Sequence, residues 1–289
     1  GSTDGTSSEV RFATLTPTLA YAVNEDFALG VSLNAGYSDV KFSFWPKTSF
    51  YNDGGTPLDP ADDMGFFGAD LTKRARAFNS SARAGAMWRA LPQLTLGAMY
   101  QTETSGEYEE GTLTLNQSAI GLGAVHYDAQ VEGFTWPAQF GAGLLYKPAD
   151  RLVLTADVRR YLWKDAMAKI TVKGSNPDAA SPMSTVEMPF TFTWADEWVT
   201  AIGAEYRATP ALTLRGGWNH GESPVPDQTL NPLFPAITTQ HVSAGLGWTF
   251  GANTLNVAVE RALEATQTNS NTDQNVNPFG PGAFVDHSQ

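Results

Sequence analysis

Five short turns and four long polar connections divide this chain into segments whose side chains alternate in character with period two, and that rhythm limits what it can fold into. The tight turns fall at Asn24-Glu25-Asp26, Leu91-Pro92-Gln93, Lys147-Pro148-Ala149-Asp150, Thr209-Pro210-Ala211 and Gly251-Ala252-Asn253. Five such turns make five hairpins and about ten strands. Between the hairpins run connections of roughly Pro46 to Arg76, Thr102 to Thr135, Lys164 to Glu197 and Gly221 to Thr238. Short turns at one rim and long loops at the other predict an all-β fold, a transmembrane antiparallel up-and-down β-barrel.

Alternation then separates two faces. After Pro210, Leu212, Leu214, Gly216 and Trp218 share one face, while Thr213, Arg215, Gly217 and Asn219 share the other. Val242, Ala244, Leu246, Trp248 and Phe250 repeat the pattern against His241, Ser243, Gly245, Gly247 and Thr249. A soluble sandwich alternates too, with its apolar face inward. Aromatic placement favours the barrel. Tyr21, Phe27, Trp88, Tyr146, Tyr206, Trp248 and Phe250 sit near tight turns, and Trp163 and Trp194 lie about a membrane's thickness away. These are expected to form two interfacial girdles.

The other face carries Asp157, Arg159, Glu205, Arg207, Arg215, His241 and Glu260. A charge facing lipid or a dry core costs several kcal/mol unless paired, so these residues are expected in a hydrated lumen. Two roles stay open for them: ion pairs that brace the wall, or groups that line a substrate path.

Composition excludes several functions. With 289 residues, 42% hydrophobic and 17% charged, the chain is neither disordered nor an ordinary charged soluble domain. Yet no apolar stretch approaches the roughly eighteen residues of a spanning helix. A barrel reconciles the two, because only every second residue must face lipid. The net charge of -12 argues against a nucleic-acid partner. No Cys removes disulfides and thiolate chemistry. The four His are too far apart in sequence for a local metal motif, and no Ser is locally paired with a base, so neither a metal, a cofactor nor an enzyme activity is expected. The acidic loop residues Glu103, Glu107, Glu109, Glu110, Asp178 and Asp196 read as solvated charge.

One stretch is more specific. Tyr206-Arg207-Ala208-Thr209-Pro210-Ala211-Leu212-Thr213-Leu214-Arg215-Gly216-Gly217-Trp218 leads into Ser223-Pro224-Val225-Pro226-Asp227, then Asn231-Pro232-Leu233-Phe234-Pro235 and His241-Val242-Ser243-Ala244-Gly245-Leu246-Gly247-Trp248. It resembles the outer-membrane long-chain fatty acid and aromatic hydrocarbon transporter family, in which an Arg-Gly-Gly-aromatic strand end precedes a Ser-Pro-Val-Pro loop and a glycine-alternating strand. Weaker similarity at Pro17 to Tyr21, Leu94 to Tyr100 and Trp136-Pro137 extends it over about four fifths of the chain. The resemblance implies a bacterial outer-membrane location and passive transport of long-chain fatty acids or aromatic hydrocarbons. Its implied partners are membrane lipid, lipopolysaccharide and a hydrophobic small molecule, or a detergent in its place.

The resemblance also implies an N-terminal plug and about fourteen strands. No plug segment is read here and about ten strands are counted, so the expectation is a single barrel domain over residues 1–289, incomplete at both ends. That leaves a second function open, a structural or binding barrel subunit of a larger outer-membrane assembly, with other chains covering its edges. Two loops stand out. In Pro46 to Arg76, Met64, Phe66, Phe67 and Leu71 form an apolar cluster expected to capture substrate, with Lys73 and Arg74 placed to attract a carboxylate. In Gly221 to Thr238, Pro224, Pro226, Pro232 and Pro235 remove amide donors and fix φ, which predicts a compact, stiff cap.

Overall fold

The structure, a computed structural model, describes residues 4–52, 64–273, 276–277 and 283–287, and of residues 64 and 283–287 the backbone alone. The wall strands come first. They are β1 (Thr6–Leu15), β2 (Thr18–Ala22), β3 (Phe27–Asn52), β5 (Ala75–Leu91), β6 (Leu94–Gln101), β9 (Gln139–Ala149), β10 (Leu152–Tyr161), β13 (Glu197–Arg207), β14 (Leu212–Gly221), β15 (Gln240–Phe250) and β16 (Asn253–Ala262). All five predicted turns join antiparallel neighbours: β2 to β3, β5 to β6, β9 to β10, β13 to β14 and β15 to β16.

Local chemistry closes these turns. The Asn24 carboxamide oxygen accepts the amides of Asp26 (2.9 Å) and Phe27 (2.8 Å), and the Thr209 hydroxyl accepts those of Ala211 (3.2 Å) and Leu212 (3.0 Å). Such side chains mimic the next backbone carbonyl and hold the reversal in place. Gly251 turns with a φ of 60°, where a side chain would be strained. Between β1 and β2 the ladder to β3 breaks at Thr16-Pro17, because proline has no amide to donate.

The wall's apolar face is open. Leu19 is 73% exposed and Val259 66%, with Leu33, Ile202, Leu214 and Val257 alongside. A soluble sandwich would bury this face, so its exposure selects the membrane reading. Tyr21, Trp88, Tyr146, Tyr206, Trp248 and Phe250 stand exposed at the turn rim, as expected of a girdle. The far girdle is a correction. Trp163 and Trp194 do not face lipid but pack ring against ring at 4.9 Å, with Trp194 buried. Tyr100, Phe140, Trp198 and Trp218 hold the outward positions instead. On β13, Trp198 and Tyr206 are eight residues apart. That is roughly 20 Å along the normal at about 3.3 Å per residue and a tilt near 40°.

The long connections are also not loops throughout. They contain β4 (Met64–Lys73), β7 (Tyr108–Asn116), β8 (Ala124–Glu132), the one-turn α1 (Trp163–Ala166), β11 (Lys169–Ser175) and β12 (Thr185–Thr191). The far half of β3 outgrows the wall and pairs with β4, and the order continues β4-β7-β8-β11-β12. A 16-stranded sheet results, ten of whose strands make the five predicted hairpins. A hairpin of β17 (Ala265–Asn269) and β18 (Ala283–His287) lies apart from it. Among the described residues no ladder joins β16 to β1 or β2, and Val10 pairs with Val40 of β3.

The buried core lies in this far-end cap. Val40, Phe42 and Phe44 of β3 meet Leu71, Leu113, Tyr127, Val131, Ile170, Val172 and Phe192. The proline-rich segment folds onto them as the compact cap predicted, burying Val225, Leu230, Leu233 and Ile237. Each such side chain contributes about 1.5–3 kcal/mol when fully removed from water.

Candidate functional site

Strand register decides what faces what. Following opposed residues across the wall, one rung on the inner face reads Thr18, Ser32, Arg83, Gln101, Gln139, Tyr161 and Glu197 over seven strands. The face is inner because the cap core rests on its continuation at Val40, Phe42 and Ala75, while the opposite face is the exposed apolar one. One rung nearer the turns stand Ala20, Gly30, Gly85, Met99, Gly141 and Arg159; the next holds Ala22, Ala28, Met87, Gly97, Gly143 and Asp157.

These rungs make a groove of about 500 Å³. Its floor is glycine, alanine and two methionines, so backbone and thioether meet whatever lies there. The polar rung bounds it toward the cap and Asp157 and Arg159 bound it toward β13. Arg83 donates through Nε to the Gln101 carboxamide at 3.0 Å, and the Arg159 guanidinium lies 3.5 Å from Asp157. The Gln139 carboxamide oxygen is buried without a hydrogen-bond partner among the described residues.

The groove was not anticipated from the sequence, although Gly141 and Gly143 alternate there with apolar residues. Glycines on neighbouring strands become a floor only once register aligns them. The seven predicted lumen residues do share this inner face. Asp157 and Arg159 line the groove. Glu205 and Arg215 sit opposite each other at 2.7 Å, and Arg215 also donates to Asn256 at 2.9 Å. The His241 ring nitrogen lies 3.0 Å from the Asn219 carboxamide oxygen, Glu260 stands across from Ser243, and Arg207 from Thr213.

The predicted capture cluster needs correction. Residues 64–73 form β4, not a loop. Leu71 is 1% exposed and packs in the cap core, and Phe66 is half-buried among Phe44, Trp45 and Phe50 at ring separations of 5.6–6.2 Å. Phe67 is half-buried opposite Ser49, and the Met64 side chain lies outside the described residues. Gly68 allows the strand's close approach to β3, since a Cβ there would lie 1.9 Å from the Trp45 carbonyl oxygen. Arg74 is not free for a head group. It pairs with Glu9 and lies 3.2 Å from Asp39, whose nearly buried carboxylate also takes Arg11 at 2.8 Å. Lys73 is exposed. The strand forms because residues distant in sequence complete its pairing: Ala69 meets Leu115 and Asp70 meets Ser43.

A connected aromatic array lies above the groove. Phe134 contacts Tyr108 (5.5 Å), Trp136 (5.9 Å) and Phe234 (5.7 Å), and Phe234 contacts Phe42 (5.5 Å) and Phe192 (5.3 Å). Phe12, on the inner face of β1, and Trp136 form its partly exposed end at 6.3 Å. The Trp194 indole N–H is buried in it without an acceptor among the described residues. Burial raises the Tyr108 phenol above its ordinary pKa, so its hydroxyl stays protonated beside Ser38, 2.7 Å away. Among the described residues no three His, Asp or Glu gather as a metal site.

A family model described as outer membrane protein transport protein (OMPP1/FadL/TodX) matches residues 1–285. No curated protein sequence matches the chain. The Ralstonia pickettii toluene transporter TbuX is 21% identical with a TM-score of 0.68, over 89% of this chain and 64% of that one. The Pseudomonas putida toluene transporter TodX gives 20%, 0.69, 89% and 65% in the same order. A Pseudomonas aeruginosa FadL homologue gives 18%, 0.74, 96% and 66%. At these identities the likeness is one of fold, and the chain spans just under two thirds of the length of each. With the family model over nearly its whole length, the chain belongs to the OMPP1/FadL/TodX family of outer-membrane transport proteins.

Proposed function

We propose that this chain passes long-chain fatty acids or aromatic hydrocarbons across the outer membrane, catching them at the cap and moving them passively along the inner wall. The observation that carries this reading is the small-residue groove beneath the aromatic array. A floor of glycine and methionine offers apolar contact without a fixed side-chain shape, which suits substrates that differ in outline. The exposed edge of the array at Phe12 and Trp136 gives an apolar molecule a first contact. The charged residues on the inner wall keep the path hydrated and braced. No energy source or covalent step is required.

The test is to fill the groove. A Cβ at Gly30 or Gly97 would meet nothing closer than 3.8 Å, so Gly30→Leu and Gly97→Leu fit the wall and project into the groove. Gly216→Leu puts equal bulk on the lipid face, where the nearest atom is 3.9 Å away. Uptake of radiolabelled palmitate and toluene into cells carrying each variant is expected to fall about tenfold for the first two, as one methylene-scale misfit per contact accumulates, and to hold for the third. Equal uptake by all three would overturn the reading.

A further inference from the structure

A second cavity, of about 540 Å³, opens on the inner face at the tight-turn rim of β10, β13, β14 and β15. Its charge is unlike the rest of this acidic chain. Arg151, Arg207 and Arg215 line it with a single carboxylate, Glu205. Glu205 is spent on Arg215, which lies at 2.7 Å and also donates to Asn256. Arg151 and Arg207 have no ion-pair partner among the described residues, and the Arg207 amide donates to the Arg151 carbonyl at 2.9 Å, tying the two cationic positions together. The cavity therefore carries two uncompensated guanidiniums. Thr209, Thr213, Thr249 and Thr254 add hydroxyls to the lining, those of Thr249 and Thr254 lying 3.1 Å apart.

The backbone is arranged around the third arginine. Gly247 stands opposite Thr213 on one side and Asn256 on the other, one rung nearer the turns than Arg215, and a Cβ there would lie 3.0 Å from an Arg215 guanidinium nitrogen and 2.8 Å from the Asn256 carboxamide oxygen. The missing side chain is the space in which that guanidinium lies flat. One arginine is thus fixed and two are free to converge, in a cleft whose low-dielectric wall concentrates their field. Guanidiniums recognise planar or tetrahedral oxyanions through paired N–H donors.

We propose that this cavity binds an oxyanion of the size of a carboxylate or phosphate group, at the rim where short turns place the periplasm. The anion comes either as the head group of an amphiphile that has travelled down the wall or as a small free ion from the periplasm. The site rests on its own residues and not on the groove above it.

The full chain in a non-ionic detergent, titrated calorimetrically with sodium octanoate, octanol and inorganic phosphate, tests this. Arg151→Gln and Arg207→Gln are both exposed positions that keep side-chain length and polarity. Each is expected to weaken oxyanion binding about tenfold, the scale of one charge-assisted hydrogen bond, and binding is expected to weaken as salt is raised. Gly247→Ala keeps every charge but displaces Arg215, and is expected to weaken binding several-fold. Octanoate binding far above phosphate identifies an amphiphile head group; phosphate binding as well as octanoate identifies a free periplasmic ion. Octanoate and octanol binding alike, with no response to either arginine variant, would sink the proposal. That result leaves the transport reading untouched, because filling the groove at Gly30 is measured separately.

Discussion

β8 in the cap and β9 in the wall alternate with the same period and face opposite solvents. On β8, Val125, Tyr127, Ala129 and Val131 are buried while His126, Asp128, Gln130 and Glu132 meet water. On β9, Phe140, Leu144 and Tyr146 are exposed, and Gln139, Gly141 and Gly143 turn inward. The cap is held by protein packed on protein. The wall's apolar face has only lipid to meet, and its cohesion comes from continuous ladders with ion pairs on the inner side. Period two therefore states that a strand has two faces, not which solvent each one sees.

The largest effect that sharpens this contrast should come from the cap. Phe192 is 1% exposed and touches Trp194 and Phe234, so Phe192→Ala is expected to cost about 3–5 kcal/mol through the cavity it leaves. Limited proteolysis should then cut the cap, while the heat-modifiable mobility of the wall on electrophoresis stays. If wall and cap unfold together, they are one cooperative unit and the contrast fails.

Next in size is a charge on the lipid face. Ile202 is 56% exposed in mid-strand. Ile202→Arg is expected to cost about 2–4 kcal/mol in urea titrations of folding into phosphatidylcholine vesicles. Gln130→Arg, on the exposed face of β8, should stay within about 0.5 kcal/mol. Equal costs would mean that the two exposed faces see the same solvent.

The smallest effect is a pH response confined to the cap. Asp178 accepts the His126 backbone amide at 2.9 Å and lies 2.8 Å from its ring nitrogen, and these bonds hold its carboxyl below the usual carboxylate pKa. A folded pKa below the unfolded one stabilises above the unfolded value and loses that contribution as pH falls through the folded one. Amide exchange at the start of β8 should speed up as pH drops from about 5 to about 3, once the intrinsic rate is corrected for. Asp178→Asn should remove this response.

Much of the wall was legible because its signals are local. Asn24 and Thr209 close their own turns, and alternate residues such as Leu212 and Arg215 declare their faces without knowledge of any partner strand. The cap was not legible for the converse reason. β4 read as an apolar capture patch within a loop and β7 as part of a polar excursion because their pairing partners are distant in sequence, as with Ala69 and Leu115. Trp163 and Trp194 carried a girdle's spacing, yet their connection folds back over the mouth and brings them together. Likewise, Arg74 looked available until Glu9 and Asp39 reached it.

By itself the sequence determined the hairpins, the two faces of each wall strand and the set of charges on the inner one, because period and turn chemistry act within a few residues. Tertiary structure alone decided which glycines align into a groove, which aromatics are buried and which arginines go uncompensated. Those depend on register between strands and on folding of the long connections. Register is a property of pairs of segments, and no single segment contains it.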